Sequence, residues 1–375
     1  MLMRAEDKIT LLINGTAHDD WMRYDVDSDL FIPADAWSLE LGLAGGQVPP
    51  KLSEGTAIRL MLGGDVVLSG VLDCVAERID RQQHSFSLRG RDGAGILVDC
   101  SAPIFTTKQA TLAEVVKTIV NELGVRQVRI AAESSFRADK VNIEPGDTAW
   151  DALQHAAEAA GLWPWFEPNG TLVVGGPDYS APVVGTLILG GGDLSADQQP
   201  LESLSVTRDL ARRVSQITVL GQTHGGGMDG NSEGKNTLKA TVKDPTIHVY
   251  RPKIVIDHEA DTPGIAQTRA RKLLADSRLA AFTVEGVVTG HRAPNGKPWA
   301  PGMRVHVVSA RHQLDQILFC TARKISGGRG QPSVTHLTLK EDALWIPDAH
   351  PHKRKHRRSK NDSNGQILNI PGYQQ

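Results

Sequence analysis

The stretch that decides the fold runs from TLAEVVKTIVNELG (Thr111–Gly124) to DTAWDALQHAAEAAGLWPWFEPNGTLVVG (Asp147–Gly175). Thr111 and Glu114 stand three apart, the spacing at which a hydroxyl and a carboxylate satisfy the free amides of a helix start. Leu112, Val115, Val116, Ile119, Val120 and Leu123 then recur at helical spacing, and Gly124 follows as a left-handed C-cap. A second helix opens at Asp147 or Thr148, carries Trp150, Leu153, Ala157 and Ala160 on one stripe, and stops at Gly161. Leu162–Glu167 and Thr171–Val174 predict two strands around Asn169-Gly170, a pair suited to positive φ in a tight hairpin. Two capped helices and a Trp-rich hairpin make a compact α+β module. None of its polar residues is arranged for catalysis.

On either side the chain changes to β character. Lys8–Asn14, Trp21–Asp27, Trp37–Leu41, Ala57–Leu62, Val66–Val75 and Ser85–Gly90 alternate apolar residues between turns, with Gly63-Gly64-Asp65 joining the fourth and fifth as a hairpin. Residues 179–346 return to strands, with one helix beginning near Thr262, where Pro263 fits the first turn. The two β regions share a pattern. Gly55-Thr56-Ala57-Ile58-Arg59-Leu60 matches Gly302-Met303-Arg304-Val305-His306-Val307, and each is followed by a second strand, a polar loop and a third strand. The expected fold is a β-rich α+β protein: two β-barrel domains with an α+β module between them. The expected boundaries are 1–100 for the first barrel, 101–178 for the module, 179–346 for the second barrel with one helix, and 347–375 for a basic disordered tail.

Composition agrees with several domains. The chain has 375 residues, 40% of them hydrophobic and 22% charged, too many for one ordinary core. No apolar run is long enough to span a bilayer, and the N-terminus does not read as a signal peptide. Cys74, Cys100 and Cys320 are odd in number and far apart, which predicts buried free thiols in a chain folded in a reducing cytosol. The net charge of −2 conceals an uneven distribution. Lys353, Arg354, Lys355, Arg357, Arg358 and Lys360 lie within 349–361 without an acid, so this stretch carries +6 and the rest of the chain −8. Such a block repels itself and attracts anionic partners, and it forms the candidate partner-binding site.

Residues for chemistry are mostly missing. Asp25, Asp27 and Asp29 imitate the start of a calcium loop, but Leu30 stands where the turn glycine is needed and Ala36 replaces the bidentate Glu. Gly190-Gly191-Gly192 and Gly225-Gly226-Gly227 lack the Lys-Ser/Thr of a phosphate loop. His350, His352 and His356 sit in the basic tail and add protonatable charge. Glu158 and Glu167 flank Trp163 and Trp165, acids beside an aromatic platform that a sugar would fit. The same alternation builds an ordinary core against Trp150. No catalytic, cofactor or metal residues are expected. The Gly-rich 222–236 predicts an exposed loop.

The run from Asp147 through DALQHAAEAAGLWPWFEPNGTLVVGGP, ending at Pro177, resembles the small α/β domain of baseplate hub proteins from Mu-type contractile-tail phages. Related domains occur in phage late-control proteins and in the first half of type VI secretion spike proteins. Upstream, FSLRGRDGAGILVDCSA (Phe86–Ala102) is similar to the strand and connector closing that family's first barrel, and the resemblance extends loosely over residues 8–345. It implies a structural, non-enzymatic homotrimer. Two barrels per chain would face a sixfold tail tube, and the other side would seat a trimeric spike on a separate polypeptide. Partners would be itself, the spike, the tube and other baseplate proteins, with no stable membrane insertion and no role for nucleic acid. The location would be the virion tail baseplate, after assembly in the bacterial host cytoplasm. The competing expectation is a cell-wall-penetrating enzyme or a carbohydrate-binding tail component.

Overall fold

The structure, a computed structural model, describes residues 8–42, 52–79, 81, 84–103, 106–131, 137–142, 146–159, 161–190, 194–221, 238–257, 260, 262–345 and 366–369. Seven strands open the chain: β1 (Ile9–Ile13), β2 (Thr16–His18), β3 (Arg23–Asp29), β4 (Ala36–Gly42), β5 (Ala57–Leu62), β6 (Asp65–Ile79) and β7 (His84–Asp92). They lie in the order β3-β4-β7-β6-β5-β1-β2. Alternation sets the faces, because successive side chains point to opposite sides of a strand. Ile9, Leu11 and Ile13 of β1 and Ile58, Leu60 and Leu62 of β5 meet Tyr24, Val26, Trp37 and Leu39 from the far end of the sheet in one buried cluster. Both ends of the sheet thus cover the same core.

The module follows as α1 (Ala94–Asp99), β8 (Thr106–Thr111), α2 (Leu112–Val120), β9 (Gln127–Ile130), β10 (Arg137–Asn142), α3 (Ala149–Ala159), β11 (Trp163–Phe166) and β12 (Leu172–Gly175). The capping box of α2 is made: Thr111 Oγ1 accepts from Glu114 N–H at 3.3 Å, and Glu114 Oε2 accepts from Thr111 N–H at 2.8 Å. Thr148 and Asp151 repeat it at α3, at 3.1 and 3.3 Å. Leu112, Val115, Val116, Ile119, Trp150, Leu153 and Ala157 all fall in one cluster, as the helical spacing predicts. Three details differ from the expectation. Ala94 and Leu97 of α1 belong to this cluster, so 94–99 packs with the module although the first barrel was expected to run to residue 100. Glu167 N–H bonds Thr171 O, which leaves the loop 168–170 that the strand bounds predict, but Gly170 alone of the pair Asn169-Gly170 takes positive φ, at 87°. β9, absent from the sequence reading, runs parallel to β12.

The rest of the chain is β13 (Val183–Ile188), β14 (Gln198–Arg208), β15 (Gln216–Gly221), β16 (Leu238–Lys243), β17 (Pro252–Ile256), α4 (Pro263–Ala281), β18 (Phe282–Thr289), β19 (Arg304–Ser309), β20 (Leu314–Gly328), β21 (Gln331–Glu341) and β22 (Gln366–Asn369). Strands β19-β13-β14-β18-β21-β20 close on themselves through β19–β20 into a six-stranded barrel around Trp299, Val305, Leu318 and Leu337. Thr262 caps α4, accepting from Ile265 N–H at 3.3 Å with Pro263 in the first turn. Where one barrel with one helix was expected, the structure holds a second cluster. Ile217, Val219 and Ala240 of the small sheet β16-β15-β17 bury Ala266, Ala270 and Leu274 of α4, apart from the barrel core. This unit lies in the connection between β14 and β18.

The faint repeat is a duplication of strand order. β3-β4-β7-β6-β5-β1 corresponds to β14-β18-β21-β20-β19-β13, in the same chain order. β6 and β20 are both 15 residues long. Gly55 N–H donates to Leu72 O at 2.8 Å and Leu72 N–H to Thr56 O at 2.9 Å, while Gly302 N–H donates to Cys320 O and Cys320 N–H to Met303 O, both at 2.8 Å. The register slips just after Leu72 and just after Cys320. Both glycines take positive φ, 81° and 90°, which explains why the pattern begins with Gly. The connection from β3 to β4 is short, and its counterpart holds the α4 unit.

All three cysteines are free, but only Cys320 is buried. Cys74 and Cys100 are partly exposed, contrary to the expectation of burial. Gln366–Asn369 pairs antiparallel with β9, so these four residues depart from the disordered tail expected for 347–375. The Gly-rich loop 222–236 and Lys353, Arg354, Lys355, Arg357, Arg358 and Lys360 lie outside the described residues.

Candidate functional site at the junction of the barrels and the module

The two barrels are one sheet because β20 serves both. Its first half pairs with β19, and Ala322–Gly327 pairs with Asp29–Tyr24 of β3. Arg323 points from this shared segment into the interior, 4% exposed, and donates from Nη1 to Val26 O at 2.8 Å and from Nη2 to Val67 O at 3.0 Å. A guanidinium holds several donors in a fixed fork, so one side chain ties β3 and β6 to β20. Its Nε has no hydrogen-bond partner.

Asp35 and Asp92 lie beside it. Asp92 N–H donates to Asp35 O at 2.9 Å, Asp29 N–H to Asp35 Oδ1 at 3.1 Å, and Ala94 N–H to Asp92 Oδ1 at 2.9 Å. Burial raises both carboxyls above the ordinary range, and the negative charge of Asp35 raises Asp92 further. Two acids this close do not ionise independently, so the pair holds on to a proton that separate aspartates would release.

These groups floor a cavity of about 380 Å³. One wall is the 28–35 loop, another the hairpin from Pro164 to Asn169, and a third Ala300-Pro301 of the second barrel. Trp150 and Phe166 close it from the module side.

The tryptophans weighed between core and sugar platform divide. Trp150 is 4% exposed in the module core, with its Nε1 unpartnered. Trp163 donates from Nε1 to Leu30 O at 2.6 Å and meets Trp345 edge-on at 6.3 Å, so it pins module to barrels. Trp165 is partly exposed and lines the cavity. Glu167 reaches the cavity and pairs with Arg129, whereas Glu158 accepts from Gln154 at 2.8 Å and is not among its walls. The two glutamates therefore do not face one cleft. Asp25 is taken up by Lys324 at 3.1 Å, and Asp29 Oδ1 accepts from Phe31 N–H at 2.8 Å. Among the described residues no group of three or more His, Cys, Asp or Glu is placed to hold a metal ion, and no helix is long and apolar enough to cross a membrane. Sequence reasoning missed Arg323, Asp35 and Asp92. The available signal was a charged residue between apolar positions of a strand, as in CTARKISG (Cys320–Gly327).

Family comparisons follow the same divisions. Residues 8–92 match the model for the Mu phage baseplate assembly protein GpP-like N-terminal domain, and 94–176 that for the second domain of baseplate hub protein gp44-like chains. Residues 213–274 match the third domain of tail protein NMB1110-like chains, and 276–344 a tail protein C-terminal domain. The break at 92–94 and the separate unit at 213–274 coincide with the clusters of α1 and α4. Baseplate hub protein gp44 of Escherichia phage Mu is 24% identical over 317 residues, 82% of this chain and 80% of that protein. The tail protein from Neisseria meningitidis MC58 is 38% identical, with a TM-score of 0.77 over 92% of this chain and 99% of that one. The 43 kDa tail protein of prophage MuSo2 from Shewanella oneidensis, at 22% identity, has the same fold, with a TM-score of 0.77 over 90% of this chain and 99% of that one.

Proposed function

We propose, from the premise that this chain belongs to the Mu-type phage baseplate hub and tail protein family, that it is the trimeric adaptor between a sixfold tail tube and a threefold spike. The observation that carries this reading is the duplication of one strand order into two barrels joined through β20. A cyclic trimer of a duplicated domain presents six similar units on one side while the assembly as a whole stays threefold. The β14–β18 insertion makes the two barrels unequal, and that inequality suits a face where threefold symmetry must be kept.

In this reading the module and the α4 unit stand beside the ring and contribute contacts between subunits or to the spike. Lys353, Arg354, Lys355, Arg357, Arg358 and Lys360 engage an acidic surface of the spike or of a neighbouring baseplate protein. Folding and assembly take place in the bacterial host cytoplasm before the tail is complete. The role is structural and has no catalytic residues, as the names of its relatives suggest.

Electron cryomicroscopy of assembled tails tests the proposal. Three copies in one ring between the last tube layer and the spike are expected. Another copy number, or a position away from the tail axis, would overturn it.

A further inference from the structure

We infer that each copy of the chain seats the outer face of its α4 unit in the mouth of the first barrel of the next copy. This deepens the hub reading and rests on its ring of identical chains. Among the described residues, the four most exposed of the large hydrophobic side chains are Tyr250, Ile79, Ile254 and Ile256, at 75, 68, 67 and 66%. All four belong to these two surfaces.

The sheet β16-β15-β17 buries one face against α4 through Ile217, Val219 and Ala240. The register gives the other face. Thr218 pairs with Thr241 of β16 and Ile254 of β17, and Leu220 with Lys239 and Ile256. Paired residues of neighbouring strands point to the same side, and Thr218 Oγ1 lies 3.0 Å from Thr241 Oγ1 there. Pro252, Ile254 and Ile256 therefore form a ridge along β17, with Tyr250 just before it, while the exposed Lys239 and Lys243 stand along β16. Isoleucines in water along the outermost strand of a sheet mark a surface that a partner covers.

The first barrel carries the matching surface where β4, β7 and β6 run beyond its core. Leu41 pairs with Phe86, and Phe86 with Glu77. This row lies two residues past Leu39 and Leu88, on the same side of the sheet as the core. With Met22 and Glu40 it lines a groove of about 320 Å³. Ile79 stands two residues beyond Glu77 on β6, on the same face at the rim. The charged groups at the groove are Glu40, Glu77 and Arg78, and Glu77 Oε1 lies 2.7 Å from His84 Nε2.

Charge decides which surfaces meet. Residues 213–274 hold nine Lys and Arg against six Asp and Glu, whereas residues 8–92 hold eight against thirteen. Ridge against ridge would set lysines against lysines, and mouth against mouth would set glutamates against glutamates. Ridge against mouth brings Ile254 and Ile256 to the apolar groove, with Lys239 and Lys243 near Glu40 and Glu77. A contact between two different patches of one chain runs head to tail and closes into a ring where the rotation permits.

The test uses the purified full chain. The photoreactive residue p-benzoylphenylalanine in place of Ile254 should give an adduct of two chains, with the cross-linked peptide within residues 22–42 or 75–87. In sedimentation velocity, Ile254→Asp with Ile256→Asp, and separately Ile79→Asp, should each raise the concentration for half-assembly about tenfold or more. These exposed positions should leave the melting temperature near that of the parent. Lys239→Glu with Lys243→Glu should weaken assembly, and adding Glu40→Lys and Glu77→Lys to the same chain should recover part of the loss. Adducts that are absent or map outside the first barrel overturn the inference. So does a trimeric parent whose Ile254/Ile256 and Ile79 variants assemble unchanged, and in both cases the ring itself stands. A parent that stays monomeric overturns ring and inference together.

Discussion

Tyr24 of the first barrel places its Oη 2.8 Å from Nε2 of His291 in the second, across 267 residues of sequence. His291 is fully buried, and its Nδ1 lies 3.1 Å from Thr335 Oγ1, whose own proton goes to Gly290 O at 2.7 Å. Thr335 must therefore accept from Nδ1–H, which leaves Nε2 to accept from the tyrosine hydroxyl. The neutral imidazole with its proton on Nδ1 satisfies every partner. Burial first, and then the nearby Arg323 charge, together lower the pKa of His291 to about 4.

A histidine whose folded pKa lies below its unfolded value stabilises the native state fully above about 6.5, and this is lost as pH falls from there towards about 4. The full effect is about 3 kcal/mol. His291→Gln should flatten the pH dependence of the denaturant midpoint between pH 4 and 6.5. An unchanged slope would mean that His291 titrates normally in the folded chain.

Asp92→Asn should act with the opposite sign. The carboxyl of Asp92 is raised in the folded chain, so its proton is held there after the unfolded chain has released it. Stability is therefore penalised increasingly as pH rises above the unfolded value near 4. The asparagine variant should gain on the parent at pH 8.5 relative to pH 5, as measured by urea midpoints at the two values. An advantage that does not grow with pH would contradict the coupled-pair reading.

Gly327 leaves no room for a Cβ, because the position that atom would take falls on Tyr24 Oη and Cζ. Gly327→Ala should push Tyr24 off His291 and separate β20 from β3. Loss of the buried hydrogen bond alone costs about 1–3 kcal/mol. Hydrogen exchange should accelerate first at Val26 and Ile325, which pair across that seam.

Trp150→Ala should cost about 3–5 kcal/mol, because it empties a large buried site in the module core. The loss should appear in the melting of the module. A variant as stable as the parent would mean that Trp150 does not pack as described.

The module was legible because its signals are local. Thr111, Glu114, Gly124 and Gly161 act within a turn or two of themselves, and Trp150 and Leu153 follow a helical period. The strands of the first barrel were legible for a similar reason, since Ile9, Leu11 and Ile13 alternate. The junction was not legible in this way. Arg323 is one more cation in a β-strand until β3 and β6 present their carbonyls, and Asp35 and Asp92 become a pair only when the sheet brings them together. The α4 unit was missed because its helix is ordinary and its three short strands resemble barrel strands until the pairing separates them.

Removing residues 348–375 takes β22 from the edge of β9 but should leave the domains folded, since the core clusters of the described residues lie within residues 9–345. If the six cations serve a partner, incorporation of the spike or a neighbouring subunit should weaken, and more so at low salt, where exposed charges interact over longer distances. Truncated chains that assemble equally well at low and high salt would remove the basic stretch from the account.

The central claim is that two unequal barrels in one chain serve a threefold ring. Sedimentation velocity of the purified chain over a wide concentration range tests it most directly. The account predicts a species of three times the chain mass that gains population as concentration rises. A monomer or dimer throughout the range would contradict it.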